Sequence, residues 1–483
     1  MTRAKDLRHF KKGISSVEQW TGREAKEMEK VFVPLLAENP DLPADLVAFI
    51  RALLDFCYIA RAVRLTDGEL DDLNGAWDEM HRLKHVLVSS GVYGSLRRLD
   101  RIHKWHMISH YGESIREFGT PDGYNTEAPE YLHIIYVKRG FAASNKRDAI
   151  PQIIEYCGRL EALRIHRAHL DEYYGIESQR EPIKTAILVA DDNGSDEPEG
   201  EDGDNPDDEE WSDEEDEDID VDGEEGPKRA TVSLEAEDVE YPWPEFAIAL
   251  KPTCQVTLSE LVDVYGATSL ERTLKSFLRP YASGSGSWLI HPFDKFGSWH
   301  KLTLYHHPLR FAPDEPRQRD VVRVRPQPHD SRGRALRKLE PVFDTALFLH
   351  DSRQFGLLRY RAGRVRAIFQ LPERLQYLYA GELVYLELFT PFDSALSPSH
   401  LLHNISHAGP RRDRQAIVVP IEDVVLGCHL APNYRHIPRN VQLDAHVDLL
   451  SDTRRFFFNH YYNKYTFQIV QYWRRHHLLN NDE

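Results

Sequence analysis

The organisation of this 483-residue chain is decided by one acidic run, residues 191–226, which reads DDNGSDEPEGEDGDNPDDEEWSDEEDEDIDVDGEEG. It holds 22 Asp and Glu and no Lys or Arg, and without it the net charge of the chain changes from −18 to +4. Like charges at this density repel one another and could hardly be buried, so we predict a disordered segment. Its simplest role is that of a solvated linker. The alternative is an acidic arm that competes with DNA for basic surfaces or binds histones.

The N-terminal block, residues 1–185, is predicted to be mostly α-helical. In residues 42–64 the apolar side chains recur every three to four positions, as on the buried face of a helix. Thr66 and Glu69 have the spacing of a capping box, which marks the start of the next helix. Further helices are predicted over 23–38, 99–118, 127–143 and 147–173.

The C-terminal block, residues 230–483, is predicted to be rich in β-structure with short helices. Runs of β-branched and aromatic residues alternate with Gly, Pro and Asp turns, which is typical of a small barrel or sandwich. The predicted strands cover 299–305, 321–324, 345–349, 365–369, 384–389 and 416–419. Capping boxes at Thr257 and Thr268 predict two short helices, and a last helix is predicted over 444–461. The fold class is therefore α+β in two blocks, which an acidic disordered linker over 186–229 joins.

Several classes of protein are disfavoured by composition and motifs. The four cysteines are about 100 residues or more apart and form no CxxC pair, which argues against a zinc ribbon and a disulfide-rich secreted module. No run of 18 apolar residues and no secretory signal is present, so we expect a nuclear or cytoplasmic protein without a membrane partner. Walker A, GxGxxG, HExxH and GxSxG motifs are also missing from the sequence.

The densest polar cluster lies in residues 101–147. His103, His106 and His110 fall on one face of the predicted helix 99–118, where three imidazoles could bind a transition metal. Such sites usually add a carboxylate or a cysteine to complete the ligand shell. The alternative is a half-buried polar face that packs against its neighbours or contacts phosphate.

A turn and a helix start follow these histidines. Asp122 and Tyr124 lie in the Pro-Asp-Gly turn region, and Asn125 or the next residue could cap the following helix. Glu127 would then lie in the first helical turn, where it either holds a divalent cation or offsets the helix dipole. Further on, Lys146 and Arg147 follow a Ser-Asn pair at a helix junction and are candidate phosphate contacts.

A second basic stretch spans residues 310–375, which carry a net charge of +7. An arginine-rich loop on a β domain suits phosphate binding, whereas ordinary solvated charge is the equally weighted alternative. The candidate DNA-binding residues of this stretch are Arg323, Arg325, Arg332, Arg334, Arg337 and Lys338.

Beyond these patterns, longer motifs carry a family resemblance. They lie at residues 104–111, 115–127, 130–134 and 144–147 and, near the start of the chain, at 7–15, 20–24 and 51–56. Weaker motifs follow at 292–294, 299–301, 389–392 and 456–459. Together they resemble the C-terminal part of the fungal Plavaka transposases, which belong to the CACTA group of cut-and-paste DNA transposons. The later motifs resemble the uncharacterised domain that ends those proteins.

The resemblance implies an RNase H-like core of the DDE type, in which two Asp and one Glu hold two Mg²⁺ ions for phosphoryl transfer. Glu127 would be the third acid, and a helical insertion would precede it, which fits residues 1–100. The resemblance supplies no counterpart of the two Asp. We therefore expect an incomplete active site, which would take Mg²⁺ only if it were completed, since one carboxylate cannot organise two metals.

Three hypotheses follow for the function. The first is a transposase-derived fragment that is catalytically incomplete and retains weak, sequence-independent DNA binding or self-association. The second is a domesticated chromatin or DNA-binding protein without catalysis, in which residues 384–429 faintly resemble a bromo-adjacent-homology module. The third and least favoured is a metal-dependent hydrolase built on His103, His106 and His110.

Overall fold

The computed structural model describes Leu7, Ile14 and residues 22–124, 126, 132–174, 228–230, 244–282, 289–315, 317–327, 341–410, 413–437 and 447–480. The acidic run 191–226 lies outside these residues. The contacts divide the chain into two units, Met1–Thr120 with Asp222–Glu483, and Pro121–Val221. Residues 1–120 are thus grouped with the C-terminal part, whereas the predicted division placed residues 1–185 in a block of their own.

The N-terminal segment of the first unit is helical, as predicted. Its helices are α1 Gly22–Leu36, α2 Ala44–Ala60, α3 Asp67–Leu83, α4 Val86–Ser89, α5 Leu96–Leu99, α6 His103–Ile108 and α7 Tyr111–Phe118. Helix α2 begins after Pro43 and is buried around most of its circumference, because nearly all its residues are apolar. At the start of α3 the predicted capping box is confirmed: the Glu69 N–H donates to Thr66 Oγ1, and the Thr66 N–H donates to the Glu69 carboxylate.

The single helix predicted over 99–118 is wrong, since this segment is divided among α5, α6 and α7. The Ser109 hydroxyl donates to the carbonyl oxygen of His106 at 2.7 Å, a local bond that competes with helix continuation. Two residues into α7, Gly112 lies so close to Asn74 of α3 that a Cβ atom there would meet its Oδ1 at 2.4 Å. The break therefore lets α7 approach α3 closely.

The second unit is described from its turn at Pro121–Gly123 onward and is helical. Its helical elements are a π-helical segment His133–Lys138, α8 Arg139–Ala142 and α9 Ala149–Tyr173. Gly140 of α8 lies against Ile153 and Tyr156 of α9, where a larger residue would contact both side chains. Helix α9 agrees with the predicted helix 147–173.

The C-terminal part is rich in β-sheet and carries short helices, as predicted. The strands are β1 Lys228–Ala230, β2 Glu245–Ala249, β3 Cys254–Thr257, β4 Lys295–Trp299, β5 Lys301–His306, β6 Gln318–Arg325, β7 Val342–Phe343, β8 Thr345–Leu349, β9 Tyr360–Gln370, β10 Glu382–Leu388, β11 His403–Ser406, β12 Ala416–Pro420, β13 Val424–Cys428, β14 Leu430–Pro432 and β15 Arg455–Phe458. The helices are α10 Leu258–Asp263, α11 Leu270–Leu278, α12 Leu449–Asp452 and α13 Lys464–Asn480.

These strands form three antiparallel sheets. One has the order β1-β2-β5-β6-β7, and another the order β11-β15-β14. The largest has the order β12-β10-β9-β4-β3, with β8 paired to β9 and β13 paired to β8. The long strand β9 pairs with β10 on one edge and with both β4 and β8 on the other. Among the described strands, no sheet closes into a barrel.

Two local predictions in this part are wrong. Helix α11 has Ser269 as its N-terminal cap and no side-chain cap bond. The Thr268 N–H, which a capping box would pair with Glu271, donates to the Gly266 carbonyl oxygen at 2.9 Å instead. The Thr268 capping box is therefore not formed. The helix predicted over 444–461 is interrupted by β15, whose three phenylalanines are fully buried between β11 and β14.

A buried polar network joins the N-terminal helices to the C-terminal part. Tyr461 donates from its hydroxyl to Asp55 Oδ1 at 2.6 Å, and Tyr58 donates to the Tyr461 carbonyl oxygen. Arg51 Nη1 donates to the other Asp55 oxygen at 2.7 Å. Burial raises the pKa of the Asp55 carboxyl, and the Arg51 charge opposes this shift. The carboxylate is thus bound by two residues from distant segments, Arg51 and Tyr461, and Tyr58 in turn binds the Tyr461 backbone.

Two histidines at the ends of β11, His403 at its start and His407 directly after it, are buried in their neutral form. His407 Nε2 lies 2.6 Å from the Leu450 carbonyl oxygen, and burial together with the charge of Arg414 lowers its pKa to about 3. His403 Nδ1 lies 2.9 Å from the Asp393 carbonyl oxygen, and burial lowers its pKa to about 4. Both rings therefore remain uncharged in the folded protein at pH values where exposed histidines are protonated.

We expect Asp55→Ala to lower the free energy of unfolding by about 3–5 kcal/mol, because it removes one of the two carboxylates that bind the buried Arg51 and leaves the buried Tyr461 hydroxyl without its acceptor. Asp72→Ala is the matched control, since it also removes an ion pair, with Arg475, between a helix and α13, but at a carboxylate that is 43% exposed. The Asp72→Ala variant should lose only about 0–1 kcal/mol of its free energy of unfolding. Urea unfolding followed by circular dichroism measures both, and equal losses would contradict the role given to Asp55.

The free energy of unfolding should fall as the pH is lowered from about 6.5 toward 4, since His403 and His407 bind protons only after unfolding in that range. Each contributes a slope of about 1.4 kcal/mol per pH unit. His407→Gln should flatten the pH dependence by one such contribution, whereas His85→Gln, at an exposed position, should leave it unchanged. Urea titrations across this range test the expectation, and identical slopes for both variants would refute it.

Candidate nucleic-acid interface

Some predicted site residues lie outside the described residues. These are Glu127, Asn125, Arg332, Arg334, Arg337 and Lys338. The turn ahead of Glu127 is described: Pro121–Gly123 forms a single 3-10 turn, closed by the Tyr124 N–H on the Pro121 carbonyl oxygen at 3.2 Å. Asp122 in this turn is half-buried, and Tyr124 is 48% exposed.

The turn at residues 144–147 is held by side-chain hydrogen bonds. The Arg147 N–H donates to Asn145 Oδ1 at 2.8 Å, and the Lys146 N–H donates to Ser144 Oγ at 3.1 Å. Gln152 of α9 donates to Asn145 Oδ1 at 2.8 Å and to the Arg147 carbonyl oxygen at 2.7 Å. The predicted Ser-Asn pair therefore shapes the backbone, and the two following cations are left on the surface.

The backbone of this turn is in a conformation that non-glycine residues seldom adopt. Lys146 has φ of 60° and Asp148 has φ of 45°. Each left-handed residue costs about 1–2 kcal/mol, which the bonds from Ser144, Asn145 and Gln152 offset. Lys146 and Arg147 are consequently presented from a fixed backbone directly before α9.

The start of α9 adds to this positive surface. The unpaired N–H groups of the first turn of a helix carry a partial positive charge and can donate to phosphate. The exposed carboxylate of Asp148 partly offsets the two cations. Farther along α9, Arg164 Nη1 donates to the Tyr136 hydroxyl at 2.7 Å, and Arg159 pairs with Glu155.

The three predicted histidines lie on two helices rather than on one. His103 begins α6, whereas His110 caps α7. All three are exposed, and the Nε2 atoms of His106 and His110 are 3.3 Å apart. Within the ranges that the structure describes, no group of three or more His, Cys, Asp and Glu side chains is arranged to hold a metal ion.

Of the candidate DNA-binding residues in the basic stretch, Arg323 and Arg325 are described, and both lie in strand β6. Arg323 binds Asp344 with two nitrogens, Nε to Oδ2 at 3.0 Å and Nη2 to Oδ1 at 3.2 Å. Its side chain is 17% exposed. This bidentate pair links β6 to Asp344, which lies between β7 and β8. The Arg323 guanidinium is therefore already bound within the protein. Arg325 is half-buried at the end of β6.

A further polar cluster has no counterpart in the sequence predictions. It consists of Cys254, Tyr265 and His300, whose polar atoms lie within 3.6 Å of one another. Cys254 and His300 are 46 residues apart in sequence. Only the register of β3 against β4 would reveal their proximity, and that register is not encoded in a local motif.

Comparison with known proteins assigns no family to this chain. It matches no protein-family model, no curated protein and no solved structure. In the part of the chain that the structure covers, no helix is both long enough and apolar enough to cross a bilayer.

Proposed function

We propose that this chain is a DNA-associated protein derived from a transposase of the Plavaka type, and that it binds the phosphate backbone through the turn at Lys146 and Arg147. The observation that carries the proposal is the exposure of both cations on a turn held by side-chain hydrogen bonds, directly before a long helix.

This arrangement suits phosphate rather than base recognition. Lysine and arginine beside a helix N-terminus are typical contacts to the DNA backbone, which position a protein without reading sequence. Only two cations and one carboxylate are presented by this turn, so the binding it supports is weak and strongly dependent on salt.

Arg323 does not belong to the proposed surface, because its bidentate pair with Asp344 would have to break before it could bind phosphate. Breaking such a pair would leave the Asp344 carboxylate, on a residue that is 8% exposed, without its charged partner and with the Arg323 backbone N–H as a remaining donor. The proposal therefore rests on the second unit alone.

Lys146→Ala combined with Arg147→Ala should reduce the slope of log K against log salt by about two, since each phosphate contact contributes about one unit. The matched control is Lys251→Ala with Lys295→Ala, which removes two exposed cations from the β-rich part. Fluorescence anisotropy with a duplex oligonucleotide at two salt concentrations measures both. Equal slopes in the two double variants would exclude the proposed surface.

The chain should leave supercoiled plasmid uncut when it is incubated with Mg²⁺ or Mn²⁺. The resemblance identifies only Glu127 among the three acids that such a core uses, and one carboxylate does not organise two metal ions. Agarose gel electrophoresis detects nicking and linearisation. Cleavage that Glu127→Gln abolishes would show an intact transposase and would overturn the binding-only role.

A further inference from the structure

A thiol, a phenol and an imidazole meet at one edge of the largest sheet. Cys254 begins β3 and lies opposite Ser298 of β4. His300 occupies the single position between β4 and β5, and Tyr265 follows α10. Antiparallel pairing of β3 with β4 therefore brings Cys254 to the turn that carries His300.

The three polar atoms form a closed triangle. The Tyr265 hydroxyl is 3.0 Å from His300 Nε2, and the Cys254 Sγ is 3.6 Å from the same nitrogen and 3.5 Å from the hydroxyl. When the tyrosine donates to Nε2, this nitrogen is the acceptor of a neutral imidazole. Burial, followed by the nearby Arg325 charge, lowers the pKa of His300 and favours this neutral form.

This environment differs from that of the other cysteines. Burial raises the pKa of the Cys57 thiol to about 11 and that of Cys428 to about 12, so both are held as thiols. Cys157, which is half-buried, donates to the Tyr136 carbonyl oxygen at 3.4 Å. Cys254 is also half-buried, but it has an imidazole nitrogen within reach of its proton. A thiolate, rather than a thiol, is the nucleophilic form of cysteine.

We propose that Cys254, His300 and Tyr265 form a nucleophilic thiol site that reacts with small hydroperoxides. The Tyr265 hydroxyl turns from His300 Nε2 to the sulfur, which frees the Nε2 lone pair to accept the thiol proton and lets the hydroxyl donate to the resulting thiolate. Burial raises the pKa of Tyr265, so the phenol keeps the proton that it donates.

In the reaction, the Cys254 sulfur attacks the terminal peroxide oxygen and the O–O bond breaks. The sulfur is oxidised by two electrons to a sulfenic acid, and the peroxide is reduced to water or an alcohol. The proton taken up by His300 goes to the departing oxygen. An external thiol then condenses with the sulfenic acid to a mixed disulfide with loss of water, and a second such thiol releases Cys254 as the thiol and leaves as the disulfide.

The first experiment measures thiol reactivity in the full folded chain. Limiting iodoacetamide is added near pH 7, and the alkylation rate of each cysteine is followed by peptide mass spectrometry. Cys254 should react faster than half-buried Cys157 and far faster than Cys428. His300→Gln should lower the alkylation rate of Cys254 by at least ~10-fold. This threshold is conservative, since a positioned base contributes ~10²–10⁴-fold to a catalytic step. The rate at Cys157 should not change in this variant.

The second experiment identifies the electrophile. Hydrogen peroxide followed by dimedone should label Cys254 in the wild-type chain and not in His300→Gln. Tyr265→Phe is a second variant, which keeps the imidazole and removes one donor to the thiolate, and it should lower the alkylation rate less than His300→Gln does. In His300→Gln, the side-chain oxygen of the glutamine still provides an acceptor for the Tyr265 hydroxyl. A thermal melt of each variant establishes that it is folded.

The outcomes separate the proposal from a purely structural cluster. A wild-type rate at Cys254 no higher than that at Cys157 would overturn it without any variant. An unchanged alkylation rate of Cys254 in the folded His300→Gln variant would show that His300 is not the base that activates this thiol. Fast alkylation without a dimedone adduct would exclude hydroperoxides as the substrate class.

Discussion

The first unit depends on one buried carboxylate, Asp55, which is bound by residues from both ends of the chain. Arg51 neutralises it from the same helix, and Tyr461 donates to it from a segment 406 residues away. A charged group in such a place must have all its partners, because water cannot replace them. The requirement fixes how α2 lies against the C-terminal part, and the apolar contacts of Tyr58 and Phe467 follow from that placement.

Features set by neighbours in sequence could be predicted, whereas those set by distant contacts could not. The capping boxes at Thr66 and Thr257 each depend on four consecutive residues, and both predictions are confirmed. The box at Thr268 has the same pattern, but the Thr268 N–H donates to the Gly266 carbonyl oxygen, and the next N–H, that of Ser269, donates to Tyr385 of the distant strand β10. Residues 444–461 had an apolar pattern compatible with a helix, and pairing of β15 with two other strands overrode it.

The candidate sites also include residues whose environment depends on local sequence and others whose environment depends on distant contacts. Exposure of Lys146 and Arg147 agrees with their polar, turn-forming context, which is a local property. The Asp344 partner of Arg323 is 21 residues away, and composition alone could not distinguish a paired arginine from a free one. The thiol cluster was missed altogether, since it exists only through strand register. Whether a charged or nucleophilic residue is available for chemistry is therefore a tertiary property of this chain.

The separation of Tyr58 from Tyr461 has a consequence for biosynthesis. The two residues are 403 positions apart, and at about 5–20 residues per second the ribosome needs roughly 20–80 s to pass from one to the other. During that interval helix α2, buried on nearly all sides in the finished protein, has no C-terminal partner to cover it. Until then the nascent N-terminal helices expose the apolar side chains that Phe457, Tyr461 and Phe467 cover in the finished protein, and exposed apolar surface of this kind is what chaperones bind.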